Sequence, residues 1–194
     1  MSTAPSAPGP GPVPIIPTQH RAVIYDAPGQ TSTALTTLPT PSPSTGEVLI
    51  KLTHSGVCGS DHGLMRTRIG FPAVEHGQVG GHEGVGHVVA LGAAASARPS
   101  RLRIGDRVGI KWVASICGTC PPCLDGRDAL CHDVRVSGFH VPGTFQEYVV
   151  SPADYVTPIP EGVPSEVAAP LLCGGVTVYA ALKKSGAQPV SARS

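Results

Sequence analysis

The sequence predicts a mainly β fold with short helices, closed into a partly open β-barrel. Three observations predict it. Short runs rich in β-branched and apolar residues recur along the chain, 24 glycines and 21 prolines in 194 residues set turns between them, and long helical patterns are few. Taken in order, residues 1–18 hold six of those prolines and read as a disordered or extended arm, because proline neither donates to a ladder nor continues a helix. RAVIYD (21–26) and EVLIKLTHSG (47–56) read as strands, with Pro39, Pro41, Pro43 and Gly46 punctuating the approach to the second. HVVAL (87–91), DRVGIKW (106–112) and FQEYVV (145–150) read as further strands. Helical pieces are expected near 60–66 and across 165–185, the latter opened by Ser165 and Glu166 and ended at Gly186.

Composition excludes several function classes. The chain is 41% hydrophobic, enough to bury a sizeable core in one large domain or a domain plus part of another. Fourteen Lys and Arg nearly cancel thirteen Asp and Glu, for a net charge of +1, which argues against nucleic acid or an anionic membrane as partner. The longest uncharged apolar run, Val167 to Leu182, is interrupted by Pro170 and Gly174-Gly175 and is shorter than the roughly 20 residues of a membrane span. It reads as two buried helical pieces. No basic segment followed by an apolar core opens the chain, so the expected compartment is reducing and cytoplasmic. There, neighbouring cysteines are metal ligands more often than disulfides.

Cys117, Cys120, Cys123 and Cys131 lie in CGTCPPCLDGRDALC with spacing C-x2-C-x2-C-x7-C. Tetrahedral zinc takes four thiolates at about 2.3 Å, and short gaps let one turn present several sulfurs to one point. Gly118, Pro121, Pro122 and Gly126 supply the turns. A closed four-sulfur site is structural, because zinc has no redox chemistry and no ligand position is left open. Disulfides fit poorly with the expected compartment, and the last gap does not match a ferredoxin-type iron–sulfur run.

The remaining cysteines, Cys58 and Cys173, flank GGHEGVGH with His82 and Glu83. An open catalytic zinc needs three protein ligands and a free fourth position. Either cysteine alone is more often a small buried hydrophobe than a ligand. The same holds for His54, His76, His87, His132 and His140, each of which reads as an ordinary core or surface histidine. The context CGSDHG favours a site. Ser60 is placed to take a proton from a bound alcohol, and Asp61 to accept the N–H of a ligating imidazole and fix its tautomer.

These segments resemble the zinc-dependent alcohol dehydrogenases of the medium-chain dehydrogenase/reductase superfamily, and look most like the yeast and fungal branch. The matching stretches are GVCGSDHG, GQVGGHEGVGHVV, GDRVGIKW, the four-cysteine segment, PGTFQEYVV and PLLCGGVTVYAALKKSGAQP, in family order from about 20 to 189. The resemblance implies a GroES-like barrel and two zinc ions per chain. It matches Cys58, His82 and Cys173 to the catalytic zinc ligands and Cys117, Cys120, Cys123 and Cys131 to the structural zinc. It matches Glu83 to a glutamate that can approach the metal, Ser60 to the proton relay, Asp61 to the carboxylate on the zinc histidine, and Trp112 to the alcohol pocket. The implied reaction takes a small primary or secondary alcohol to an aldehyde or ketone, with hydride passing to NAD. The family is homo-oligomeric.

Two departures bear on that reading. Family members carry a relay histidine five residues after the first cysteine; here that position is Gly63, with His62 one earlier and water the expected end of the relay. A basic contact to the cofactor often follows the cysteine, and here Gly59 stands. No G-x-G-x-x-G occurs, so the doubly wound coenzyme domain is expected to be missing and the chain truncated before it. The expected organisation is an arm at 1–18, a GroES-like catalytic domain at 19–164 with its zinc lobe at 112–135, a helical segment at 165–189 leading toward the coenzyme domain, and an aberrant tail at 190–194. Two functions then compete: an alcohol dehydrogenase, and a zinc-binding fragment without activity of its own. A chaperonin-like ring subunit sharing the barrel is set aside by six cysteines at ligand positions.

Overall fold

The computed structural model describes residues 15–67, 73–96 and 102–186. Most of the expected proline-rich arm, residues 1–14, lies outside the described residues, as do 187–189 and the expected tail at 190–194. The strands in chain order are β1 (Gln19–Ile24), β2 (Ala34–Pro39), β3 (Glu47–Ser55), β4 (Gly84–Leu91), β5 (Arg107–Ile110), β6 (Val113–Ser115), β7 (Arg135–Val136), β8 (Tyr148–Pro152) and β9 (Thr157–Pro158). The helices are α1 (Gly59–Met65), α2 (Pro121–Leu124), α3 (Ser165–Pro170) and α4 (Val176–Ser185), with a single 3₁₀ turn at Asp128–Leu130. The fold is mostly β, and every ladder between the named strands is antiparallel.

Five strands form the main sheet in the order β8-β3-β4-β5-β9, with β1-β2 and β6-β7 as separate two-stranded ladders. The β1 strand closes part of the gap. Val23 N–H donates to Phe145 O at 2.7 Å, and Arg21 O accepts from Glu147 N at 3.0 Å. Inside the curled sheet lie Val48, Ile50, Val88, Val108, Ile110 and Val149. On the other face, Leu49 packs with Val89 and Tyr148. Both faces of 48–50 are therefore covered, which is why that run is continuously apolar rather than alternating. Each such side chain contributes about 1.5–3 kcal/mol on burial.

The five expected strand segments all carry strands, but DRVGIKW divides. Its strand stops at Ile110. Lys111 O and Trp112 O instead accept from Ser137 Oγ at 2.8 Å and Ser137 N at 3.0 Å, which turns the chain into the β6-β7 ladder. The Lys111 ammonium donates to Tyr155 O and lies 4.0 Å from the centre of that ring, while the Tyr155 hydroxyl donates to Asp128. This chain of contacts ties the barrel to the cysteine-rich loop. Burial holds the Lys111 amine below its ordinary value, against the pull of Asp128.

The expectation of two buried helical pieces at 165–185 is corrected. Ser165–Ser185 is one continuous helical run of 21 residues whose most apolar 18-residue window has a mean hydropathy of 1.4, long and apolar enough by those measures to cross a membrane. Pro170 and the glycine pair do not break it. A wider π turn at Leu171–Gly175 follows the proline, relieving the ladder where its N–H is missing. Among the residues of this run, only the first half contributes buried ones. Ala168, Ala169 and Leu172 pack on Val85, whereas α4 has no buried residue.

Candidate metal centres

The first centre begins at the start of α1. Cys58 is the N-cap, in extended conformation, and its sulfur accepts from Ser60 N at 3.5 Å. Asp61 completes a capping box by accepting from Cys58 N at 2.8 Å through Oδ2. Its other oxygen accepts from His82 Nδ1 at 3.0 Å, and both side chains are 0% exposed. One carboxylate thus starts the helix and fixes the imidazole tautomer, leaving Nε2 as the free lone pair. Trp112 stands edge-on to the His82 ring, 4.8 Å away at 85°, so the imidazole is held in its plane and across it.

His82 and Glu83 directly precede β4, after Gly81 at a φ of +91°. A side chain at Gly81 would be strained and would strike Thr144. Gly56 makes room in a different way: a Cβ there would overlap Glu83 Oε2. The π turn delivers Cys173, whose sulfur lies 3.8 Å from that of Cys58. One ligand atom from each of Cys58, His82, Glu83 and Cys173 falls within 4.8 Å of the others.

This set fits a metal ion. His82 Nε2 is buried without a hydrogen-bond partner, an arrangement that costs about 1–3 kcal/mol unless something binds there. Two sulfurs on a tetrahedral zinc sit about 3.8 Å apart, the separation that Cys58 and Cys173 already have. Burial and the adjacent Cys58 push the Cys173 thiol up to about 12. Burial also opposes ionisation of Cys58, but the Ser60 donors and the neighbouring Cys173 thiol outweigh it and hold that thiol below its ordinary value. Burial disfavours imidazolium at His82, yet Asp61 at Nδ1 prevails and raises it. A cation is what lets both thiols ionise together.

The second centre is local. Cys117, Cys120, Cys123 and Cys131 have their sulfurs within 4.8 Å of one another, with near pairs at 3.4 Å (Cys120–Cys123), 3.5 Å (Cys117–Cys131) and 4.0 Å (Cys117–Cys123). Gly118 and Gly126 take φ near +70°, and Pro121 and Pro122 open α2. Backbone N–H groups of Cys117 and Asp133 each lie 3.3 Å from Cys131 Sγ. The backbone N–H groups of Thr119 and Cys120 hold the Cys117 thiol at about 6, while desolvation and the Cys120 and Cys131 thiols push Cys123 up to about 12. Four oxygen-free donors in this spacing suit a closed tetrahedral zinc. Leu124 and Leu130 are 74% and 60% exposed, so the loop has little core of its own.

Of the other residues singled out from sequence, Ser60 is half-buried on α1 beside Cys58, and His62 is half-buried one turn on. Gly63 is buried and Gly59 exposed. Trp112 packs with Tyr25, Leu64 and Met65 as well as against His82. Sequence reasoning missed Tyr25, whose phenol is buried beside Asp61 and raised, first by burial and then by that carboxylate. It also missed the Gly56 niche and the Lys111–Tyr155–Asp128 tie. All three join residues far apart along the chain, and no local pattern marks them.

Residues 44–161 match the family model described as the alcohol dehydrogenase GroES-like domain. The chain is 62% identical over 179 residues to alcohol dehydrogenase 2 of Emericella nidulans, covering 91% of this chain and 48% of that protein. It is 41% identical over 171 residues to an alcohol dehydrogenase of Schizosaccharomyces pombe, covering 88% and 47%. The structure is similar to acetophenone reductase from Geotrichum candidum in complex with NAD, with a TM-score of 0.78 and 32% identity over 92% of this chain and 51% of that one. The chain spans about half the length of the curated relatives it matches.

Proposed function

The chain belongs to the alcohol dehydrogenase GroES-like domain family, and we propose that it is the zinc-bearing part of an alcohol dehydrogenase that passes hydride between a small alcohol and NAD. The observation that carries this reading is the buried, unpartnered His82 Nε2, facing a group formed by Cys58, Cys173 and Glu83. Cys58, His82 and Cys173 would hold the catalytic zinc, with Glu83 as a further carboxylate donor. Cys117, Cys120, Cys123 and Cys131 would hold the structural one. A bound zinc supplies Lewis-acid polarisation of the substrate oxygen.

The chain's own residues do the rest. Asp61 keeps the proton of His82 on Nδ1, so the ring always offers Nε2. Trp112, packed on His82, also borders the space a small primary or secondary alcohol would occupy. Ser60, next to Cys58 and half-buried, accepts the alcohol proton and releases it to water. NAD would supply the hydride acceptor when bound.

A second reading is favoured by one observation: no G-x-G-x-x-G turn occurs in the 194 residues. In that reading the chain binds two zinc ions and does not turn over alone. Metal analysis with an ethanol–NAD assay on the purified chain separates the two. Two zinc ions with turnover support the dehydrogenase for this chain, and two without turnover support the zinc-binding reading. Loss of no zinc in a His82→Ala chain would sink both.

A further inference from the structure

We propose that Tyr155 is a positioning residue for the four-cysteine loop: its hydroxyl pins Asp128 and thereby sets Cys131, so that the metal affinity of the loop depends on a residue of the barrel. The inference rests on the reading of that loop as a zinc site.

Three of the four ligands place themselves. The C-x2-C-x2-C run brings Cys117, Cys120 and Cys123 together through its own turns, but seven residues separate Cys123 from Cys131. A stretch of that length spans many end-to-end separations, and fixing it costs conformational entropy. Cys131 is also the buried member of the set, 5% exposed. Its backbone N–H donates to Asp128 O at 2.9 Å, and the Cys117 N–H reaches its sulfur at 3.3 Å. The place of Cys131 therefore follows that of Asp128.

Asp128 is held at both carboxylate oxygens. Oδ1 accepts from Ala129 N at 2.9 Å, a contact within the loop, and Oδ2 accepts from the Tyr155 hydroxyl, which is not. The other two carboxylates of the loop are engaged by its own arginines, Asp125 by Arg127 at 2.7 Å and Asp133 by Arg135 at 3.9 Å. Of the three, Asp128 is the one that reaches the barrel.

Tyr155 is fixed from the barrel side. It stands between β8 and β9, its N–H donating to Pro152 O at 3.1 Å, and Thr157 two residues on pairs with Gly109 of β5. The Lys111 ammonium donates to Tyr155 O and lies against the ring, so backbone and ring are both held. The phenol is raised above its ordinary value first by burial, then by Asp128, then by Cys123 and Cys131. It keeps its proton and stays a donor, and it sits close enough to those two ligands to be affected by their charge.

The test is separate metal titration of the two centres in the 194-residue chain. Cobalt among four sulfurs absorbs differently from cobalt in a mixed sulfur and nitrogen site, and zinc competition then gives each affinity. In Tyr155→Phe, loop affinity is expected to fall roughly ten-fold, while affinity at the first centre and the melting temperature of the metal-free chain stay unchanged. Asp128→Ala gives a similar or larger loss, and adding Tyr155→Phe to it brings no further one, because the two act as a pair. A tyrosine that only supports the barrel would lower the metal-free melting temperature and loosen both centres alike, which overturns the proposal. So do losses that add in the double variant. An unsubstituted loop that takes no metal overturns the zinc reading and this inference together, whereas a loaded loop indifferent to Tyr155→Phe overturns the inference alone.

Discussion

The two cysteine-bearing centres differ in how they are assembled. The four-cysteine loop draws every ligand from 15 consecutive residues, and its sulfurs are brought together by glycine and proline turns with two exposed leucines for neighbours. The other centre draws Cys58, His82 and Cys173 from a helix cap, a strand entry and a π turn, and the barrel core holds these three elements in place. On the reading proposed above, the first would depend on an ion for its local structure. The second is held together by the fold before any ion is considered. On the same reading, ligand separation along the chain would decide which centre depends on metal for its fold and which only for its chemistry.

Removing metal gives the largest test of that contrast. Complete chelation is expected to lower the melting temperature by roughly 10 °C or more and to strip hydrogen-exchange protection from 117–133, while β3 and β4 keep theirs. Equal loss in both regions would erase the distinction. An unchanged melting temperature at zero zinc would show that the loop stands without an ion.

A narrower effect comes from Asp61→Asn. The variant keeps the shape but weakens the cap on Cys58 and the bond to His82 Nδ1. Zinc affinity at the first centre should fall about 10–100-fold, with the four-cysteine loop untouched. Trp112 is the one tryptophan, and it packs on His82. Its fluorescence therefore reports the first centre selectively. If titration of the loop alone moves the emission, the two centres are not separate.

The smallest effect is the shape of the pH dependence. Bound metal requires thiolates, so the metal-free chain carries more protons and affinity rises with pH. At the loop, Cys123, held near 12, must release its proton on binding at neutral pH, whereas Cys117, near 6, is already ionised. Below about pH 6 Cys117 adds one more proton to the exchange, and the slope of log affinity against pH should steepen there. Competition titrations from pH 5 to 8 measure it, and a constant slope contradicts the assignment.

The same contrast sets how much could be read from sequence. The convergence of the loop's four sulfurs was legible, because C-x2-C-x2-C-x7-C keeps them within reach of one another. Strands with long apolar runs, such as 47–56 and 87–91, were legible because burial dictates their composition. Strands β6, β7 and β9 were not, being two or three residues held by a partner rather than by propensity. At the first centre, resemblance named the residues, but spacing could not bring position 173 to position 58. The continuity of 165–185 was hidden for a related reason. Pro170 and two glycines signal a break, and the barrel packing that carries the helix through them is not local information.

Asp61 has one further consequence. Because a single carboxylate both begins a helix and dictates which imidazole nitrogen is available, this site is not a portable set of side chains. A designer grafting it onto a foreign scaffold would need to transplant the whole Cys58–Met65 turn with its buried surroundings, or the borrowed histidine would arrive with its lone pair facing the wrong way.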